Sequence, residues 1–236
     1  MTKKTCLILA GGLGTRLLSE INNLPKCLAP VRGMPFLYWQ LKNLSKSGFN
    51  NFILSLGYQA GLVKEAIKEP WADCFSIAII EEPFQLGTGG ACRFAMDTLD
   101  CNELIVINGD TFIGGCLSDL FPSLNVTNGE LLRLGITQVE NRTRFGGVSV
   151  GVDGRICSFI EKGVGGGGLI NCGHYRIHRL ALEETSLDSF SIENDILPFL
   201  VKKGFVTSCK LDGRFIDIGV PKDYESFKLD STYIDV

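Results

Sequence analysis

Short apolar runs alternate with amphipathic stretches through the first half of the chain. Thr5 to Ala10, Asn51 to Leu56, Ser76 to Ile80 and Leu104 to Asn108 are compact aliphatic runs bounded by polar or glycine positions, the pattern of buried strands. Between them, Phe36 to Ser47, Gln59 to Lys68 and Gly89 to Thr98 read as helices. In the first of these, Leu37, Leu41 and Leu44 recur at spacings of four and three, which places them on one face. Strand–helix–strand alternation requires parallel strands joined by right-handed crossovers. The pattern therefore predicts an α/β fold: a Rossmann-like, doubly wound, mixed but mostly parallel sheet.

The second half changes rhythm. Leu131 to Gln138 reads as a strand. Gly147 to Val150 and Ile156 to Glu161 flank Val152-Asp153-Gly154-Arg155, and Asp-Gly there signals a hairpin turn. A further strand, Leu169 to Ile177, follows the four glycines Gly165 to Gly168, the one low-complexity patch and a candidate loop. Ser191 suits a helix start, with Asn194 and Asp195 in the first turn, and Gly204 suits its end. No linker or internal repeat interrupts the chain, so its 236 residues are expected to form a single domain.

Composition narrows the function classes. A net charge of −3 with no basic block argues against a nucleic-acid surface. No apolar run reaches the length that spans a bilayer, and Cys6 to Ala10 is too short for a signal peptide, so a cytoplasmic location is expected. The nine cysteines follow no Cys-x-x-Cys spacing, which favours small apolar fillers over zinc or disulfides. Cys172, His174 and His178 lie on a predicted strand that would spread them along its length, with no fourth ligand in view.

The chemistry concentrates at predicted strand ends, where an open parallel sheet binds its ligands. Leu9-Ala10-Gly11-Gly12-Leu13-Gly14-Thr15-Arg16 follows the first strand. Its glycines let backbone N–H groups approach phosphate oxygens, and Arg16 can clamp a phosphate. Pro25-Lys26 offers a second cation. The loop lacks the third glycine of a dinucleotide fingerprint and the Gly-Lys-Ser/Thr of a Walker loop. Asn108-Gly109-Asp110 and Asp217-Ile218-Gly219 each put an aspartate beside a glycine at a strand end. Two such carboxylates, with phosphate oxygens and water, suffice for Mg²⁺, although each could equally form a turn. Lys162, after Glu161, could hold a second anion or be a solvated surface lysine. Gln85-Leu86-Gly87-Thr88-Gly89-Gly90 could contact a base or ribose, or simply start a helix with Thr88 as its cap.

Taken in order, the Gly11–Arg16 loop, Pro25-Lys26, Gly87-Thr88-Gly89-Gly90, Asn108-Gly109-Asp110, Glu161-Lys162, Asn171-Cys172-Gly173 and Asp217-Ile218-Gly219 resemble the sugar-1-phosphate nucleotidyltransferases over essentially the whole chain. Leu86 to Ala91, Asn108 to Phe112, Gly168 to Asn171 and Phe215 to Pro221 look most like the branch that transfers a guanylyl group from GTP to a heptose 1-phosphate. Mannose-1-phosphate guanylyltransferases and muramate-phosphate uridylyltransferases share much of the pattern. The resemblance implies that Arg16, Lys26 and Lys162 carry the catalytic charge. Leu9, Ala10, Gly11, Gly12, Gly14, Thr15, Gln85, Gly87, Thr88, Asn108 and Gly109 would bind the nucleotide. Gly147, Glu161 and Asn171 would line the sugar pocket, and Asp110 and Asp217 would hold Mg²⁺. It further implies a nucleotide-binding half over 1–130 and a sugar-phosphate-binding half over 131–236. Cys27 and Cys172 depart from the family's usual residues, proline and a small residue, as Val220 departs from a frequent threonine. Assembly into a homo-oligomer is left open. Rival readings are an NAD-dependent dehydrogenase, a catalytically silent subunit that binds nucleotide-sugar, and a purely structural domain.

Overall fold

A computed structural model of the chain describes residues 4–12, 21, 23–120 and 122–230. In chain order the strands and helices are β1 (Thr5–Leu9), β2 (Pro30–Val31), β3 (Met34–Pro35), α1 (Phe36–Lys46), β4 (Asn51–Leu56), α2 (Ala60–Ala66), β5 (Ile77–Glu81), α3 (Gly87–Leu99), β6 (Glu103–Asn108) and β7 (Thr111–Ile113). They continue as β8 (Leu132–Val139), β9 (Gly147–Val150), β10 (Ile156–Ile160), β11 (Gly168–His178), α4 (Arg179–Leu182), α5 (Leu197–Lys202), β12 (Val206–Lys210), β13 (Phe215–Asp217) and α6 (Pro221–Leu229).

The chain packs as two compact units, each built from discontinuous segments. The first comprises residues 1–85, 107–116 and 214–236, and the second 86–106 and 117–213. Strand β6 passes from the second unit into the first between Val106 and Ile107.

In the first unit, the end of β6 is followed across the sheet by β1, β4 and β5. β1 pairs with β4, and β4 with β5, in parallel. Cys6, Leu7 and Ile8 have no exposed surface, as strands covered on both faces require. Helix α1 buries Phe36, Leu37, Gln40, Leu41 and Leu44, the stripe expected from their spacing. Gln40 is the polar member of that stripe. Its amide donates 2.8 Å hydrogen bonds to the carbonyls of Asn108 and Thr111, pinning the backbone on either side of Gly109-Asp110.

A small antiparallel pair, β7 with β13, sets Thr111 opposite Asp217. It is backed by a cluster of Ala29, Val31, Phe36, Phe112, Ile216, Ile218, Tyr224 and Phe227. Helix α6 supplies only Tyr224 and Phe227 to that cluster, too sparse a stripe to read from sequence. The Tyr224 hydroxyl also donates to the Pro30 carbonyl at 2.6 Å.

In the second unit the order is β12, β8, β11 and β6. β11 runs antiparallel to β8, and β12 runs parallel to it, so the fold is mixed. The edge strand β12 was not legible in sequence, because only Val206 and Cys209 of Val206-Thr-Ser-Cys-Lys210 are buried. β9 and β10 form the expected hairpin around Asp153-Gly154, with Gly154 at φ 78°. After Ser191 the helix opens as one wide π turn, Ile192–Ile196, before α5. The Ser191 hydroxyl accepts from the N–H groups of Glu193 and Asn194, as an N-cap should. Pro198 follows without an N–H to close a regular turn, which favours the wider one.

Candidate active site

The loop after β1 begins in tight surroundings. A Cβ on Gly11 would lie 2.7 Å from Glu82 Oε1 and 2.9 Å from the Gly57 nitrogen, and one on Gly109 would lie 2.5 Å from the Leu9 carbonyl oxygen. The backbone here fits only without side chains. Leu9 O accepts from Gly109 N at 3.0 Å, Ala10 N donates to Ser55 O at 2.9 Å, and Gly11 O accepts from Tyr58 N at 3.2 Å. Gly12 differs, because no described residue stands within 4 Å of its Cβ position. The loop thus leaves the sheet edge clamped at Leu9–Gly11. Gly14, Thr15 and Arg16 lie outside the described residues.

Three charged groups converge a few residues away in the same unit. Lys26 Nζ donates to Asp110 Oδ2 at 2.7 Å. Asp217 Oδ1 accepts from the Gly219 N–H at 2.8 Å. A Cβ on Gly219 would stand 2.8 Å from Asp217 Oδ1, 2.9 Å from Lys26 Nζ and 3.3 Å from Asp110 Oδ2. All three side chains therefore surround one point, kept free by a missing methyl group. Lys26 is held by a 3₁₀ turn, Lys26–Leu28, closed by Leu28 N to Pro25 O (2.8 Å) and Ala29 N to Lys26 O (2.9 Å). Cys27 packs inside that turn, and burial pushes its thiol up to about 12.

The second unit carries another polar cluster. Glu193 is approached by three hydroxyls: Thr88 Oγ1 at 2.7 Å, Ser191 Oγ at 2.8 Å and Tyr175 Oη at 2.8 Å. Thr88 Oγ1 also accepts from Ile192 N at 2.8 Å. Leu86, not Thr88, is the N-cap of α3. A Cβ on Gly87, which has φ 70°, would lie 2.5 Å from the Phe190 carbonyl, and one on Gly89 would collide with the Phe190 ring. These glycines let α3 start against the 188–192 backbone. Asn171 Oδ1 accepts from Gly173 N at 2.8 Å, and its amide donates to Tyr175 Oη at 2.9 Å. That turn accounts for the register shift in β11 between Asn171 and Tyr175. Glu161 and Lys162 stand exposed beyond β10, while Gly147 is paired with Ile160 across the hairpin.

The Nucleotidyl transferase family pattern matches residues 5–232. The chain is 37% identical to D-glycero-alpha-D-manno-heptose 1-phosphate guanylyltransferase of Campylobacter jejuni, over 95% of this chain and 99% of that protein. It is 36% identical to the enzyme of the same name from Aneurinibacillus thermoaerophilus, over 92% and 94% of the two chains. The chain belongs to the nucleotidyl transferase family. Among solved structures, HddC from Yersinia pseudotuberculosis complexed with GMP-PN superposes with a TM-score of 0.83 at 33% identity, covering 95% of this chain and 98% of that one. The doubly wound, mostly parallel fold read from the alternation of strands and helices is the fold of this relative.

Several polar groups of this nucleotidyltransferase gave no signal in sequence. Glu82 touches the glycine loop and accepts from Ser55 Oγ at 2.9 Å. Glu193 gathers three hydroxyls, although only its place two residues after an N-cap serine was visible. Tyr175 has no exposed surface, and burial followed by the Glu193 charge drives its phenol well above its ordinary range. His174 is buried with its Nδ1 2.9 Å from the Cys172 carbonyl, and burial lowers its pKa to about 4. His178 turns its ring to the Leu180 N–H at the start of α4. Among the described residues, no group of three or more His, Cys, Asp and Glu could hold a metal ion. Cys6, Cys27, Cys92, Cys172 and Cys209 are buried thiols, the role of apolar filler, whereas Cys74, Cys116 and Cys157 are exposed and Cys101 is half-buried. No helix among the described residues is long and apolar enough to cross a membrane.

Proposed function

We propose that this protein is a cytoplasmic sugar-1-phosphate guanylyltransferase. It would join GTP to a heptose 1-phosphate, D-glycero-α-D-manno-heptose 1-phosphate by the naming of its relatives, giving GDP-heptose and pyrophosphate. The observation that carries the reading is the convergence of Lys26, Asp110 and Asp217 on the Gly219 position, in the unit that also presents the glycine loop.

The reaction needs little covalent help. A phosphate oxygen of the sugar 1-phosphate attacks the α-phosphorus in line. The new P–O bond forms as the bond to the β-phosphate bridging oxygen breaks, and pyrophosphate leaves. The nucleophile is already an anion, so no general base is required, which agrees with a chain of only two histidines. Catalysis is positioning plus neutralisation of phosphate charge. Gly11 and Gly12 offer backbone N–H groups to the triphosphate, with Arg16 as a clamp, and Lys26 adds a charge beside Asp110. Leu9, Ala10, Gly14, Thr15, Gln85, Gly87, Thr88, Asn108 and Gly109 complete the nucleotide contacts in this reading. Lys162 holds the sugar phosphate, with Gly147, Glu161 and Asn171 around the sugar.

Asp110 and Asp217 suit Mg²⁺. Both present hard carboxylate oxygens to a cradle that a Cβ on Gly219 would fill, and two carboxylates with phosphate oxygens and waters meet its preferences. When bound it would supply further neutralisation of phosphate charge.

The test is pyrophosphate release from GTP, ATP, UTP or CTP with heptose and hexose 1-phosphates, in Mg²⁺ and in excess chelator. Release is expected with GTP and a heptose 1-phosphate, lost on chelation and lost in Asp110→Asn, which keeps the side-chain shape. No pyrophosphate from any pair would refute the enzyme reading, and full turnover in Asp110→Asn would remove that residue from the site.

A further inference from the structure

The loop between β8 and β9 holds an arginine whose charge meets no counterpart among the described residues. Arg142 lies across two glycines. Its Nη1 would be 2.7 Å from a Cβ on Gly168 and 3.2 Å from one on Gly147, with Cδ at 3.1 and 3.2 Å from the same two points. Its Nε is buried without a hydrogen-bond partner. Among the described residues, no acceptor or carboxylate pairs with its side chain, whereas Arg133, Arg155, Arg176 and Arg179 of the same unit each pair with an acid. A guanidinium with a buried, unpaired donor is costly unless an acceptor arrives.

The surroundings hold the arginine in place. Arg142 N donates to Gly166 O at 3.1 Å, and Gly163 N donates to Thr143 O at 2.8 Å, which joins the arginine loop to the glycine-rich segment. Lys162 borders the adjacent position: its backbone nitrogen and its Cγ would lie 3.6 and 3.7 Å from a Cβ on Gly146. The Lys162 backbone and the base of its side chain therefore border Gly146, next to the glycine that Arg142 covers. A fork with free donors matches two oxygens of one phosphate.

We propose that Arg142 binds the phosphate of the sugar 1-phosphate together with Lys162, and that Gly147 and Gly168 are glycines because the arginine lies over them. The assignment of the phosphate to the sugar substrate rests on the function proposed above. Phosphate chemistry alone would also fit the nucleotide or pyrophosphate, so the assay separates these sources. Steady-state constants would be measured for wild type, Arg142→Ala and Arg142→Lys. KM for the sugar 1-phosphate should rise on the order of 10- to 100-fold in Arg142→Ala, as loss of a charge-assisted pair predicts. KM for the nucleotide should stay within about twofold, and Arg142→Lys should recover part of the loss. Gly168→Ala keeps the arginine but crowds Nη1, and should raise the same KM if Arg142→Ala does not fold. An unchanged KM for the sugar phosphate, or a rise confined to nucleotide or pyrophosphate, overturns the proposal.

A binding comparison stands apart from turnover. Inorganic phosphate should raise the melting temperature of the wild type more than that of Arg142→Ala, and equal rises would overturn the proposal. If wild type releases no pyrophosphate from any pair, the proposed function fails, and the phosphate comparison still decides Arg142.

Discussion

Replacing Gly219 with alanine isolates what geometry contributes to the charged cluster. The substitution adds one methyl group and removes no charge. Gly219 is not among the residues at positive φ, so alanine meets no backbone strain. The new carbon would lie 2.8 Å from Asp217 Oδ1, 2.9 Å from Lys26 Nζ and 3.3 Å from Asp110 Oδ2. Ordinary contact needs about 3.5 Å, so the nearer two groups must retreat by roughly half an ångström or more. All three atoms end flexible side chains, which keeps the cost to the fold small. A gain of about 0.4–1 kcal/mol from the stiffer unfolded chain offsets an overpacking cost near the lower end of about 1–3 kcal/mol. The net change should stay within about 1 kcal/mol, a melting shift of about 2–4 °C for a chain of this size. Activity should respond differently, because displacement by about 1 Å of groups that position a reaction can cost on the order of 100-fold. Pyrophosphate release would give kcat/KM, and a thermal melt the stability. A kcat/KM within about threefold of wild type, with the melt unchanged, would refute the idea that these three groups act as a geometric unit.

Two further outcomes follow from the same structure. His174 titrates near 4 when folded and near 6.5 when unfolded, so the unfolded chain takes up a proton first as pH falls. Stability should therefore be full above about pH 6.5 and decline towards pH 4, by up to about 3 kcal/mol, and urea unfolding of His174→Gln should lack that share of the decline. Gly89→Ala would drive a Cβ into the Phe190 ring and should cost about 1–3 kcal/mol or more, whereas Gly12→Ala meets no described residue within 4 Å and should melt like wild type. Equal melting temperatures for the two variants would show that α3 does not need close approach to Phe190.

Local physics explains why much of the fold could be read in advance. β4 and β9 were expected at Asn51 to Leu56 and Gly147 to Val150, and the structure has those bounds. Their strand character comes from short runs closed by turn residues, a property of neighbouring positions. α6 and β12 were invisible because each buries only two side chains, and those are recruited by distant segments. The π turn after Ser191 has no local signature for a related reason. The cap was legible as a serine, but the widening depends on how Pro198 is accommodated.

The candidate site divides along the same line. Sequence alone determined the residue types: a glycine loop after the first strand, a lysine behind a proline, and two aspartates each next to a glycine at a strand end. Those choices express backbone sterics and charge, which act over a few residues. Only the tertiary structure decided which of them meet. Asp110 and Asp217 become neighbours because β7 pairs with β13, and that pairing is held by an apolar cluster drawn from both ends of the chain. Asn171 owes its place to a bulge, and Arg142 meets no acid among the described residues. Contacts between remote segments are set by the packing of the whole core, and no local pattern in the chain encodes them.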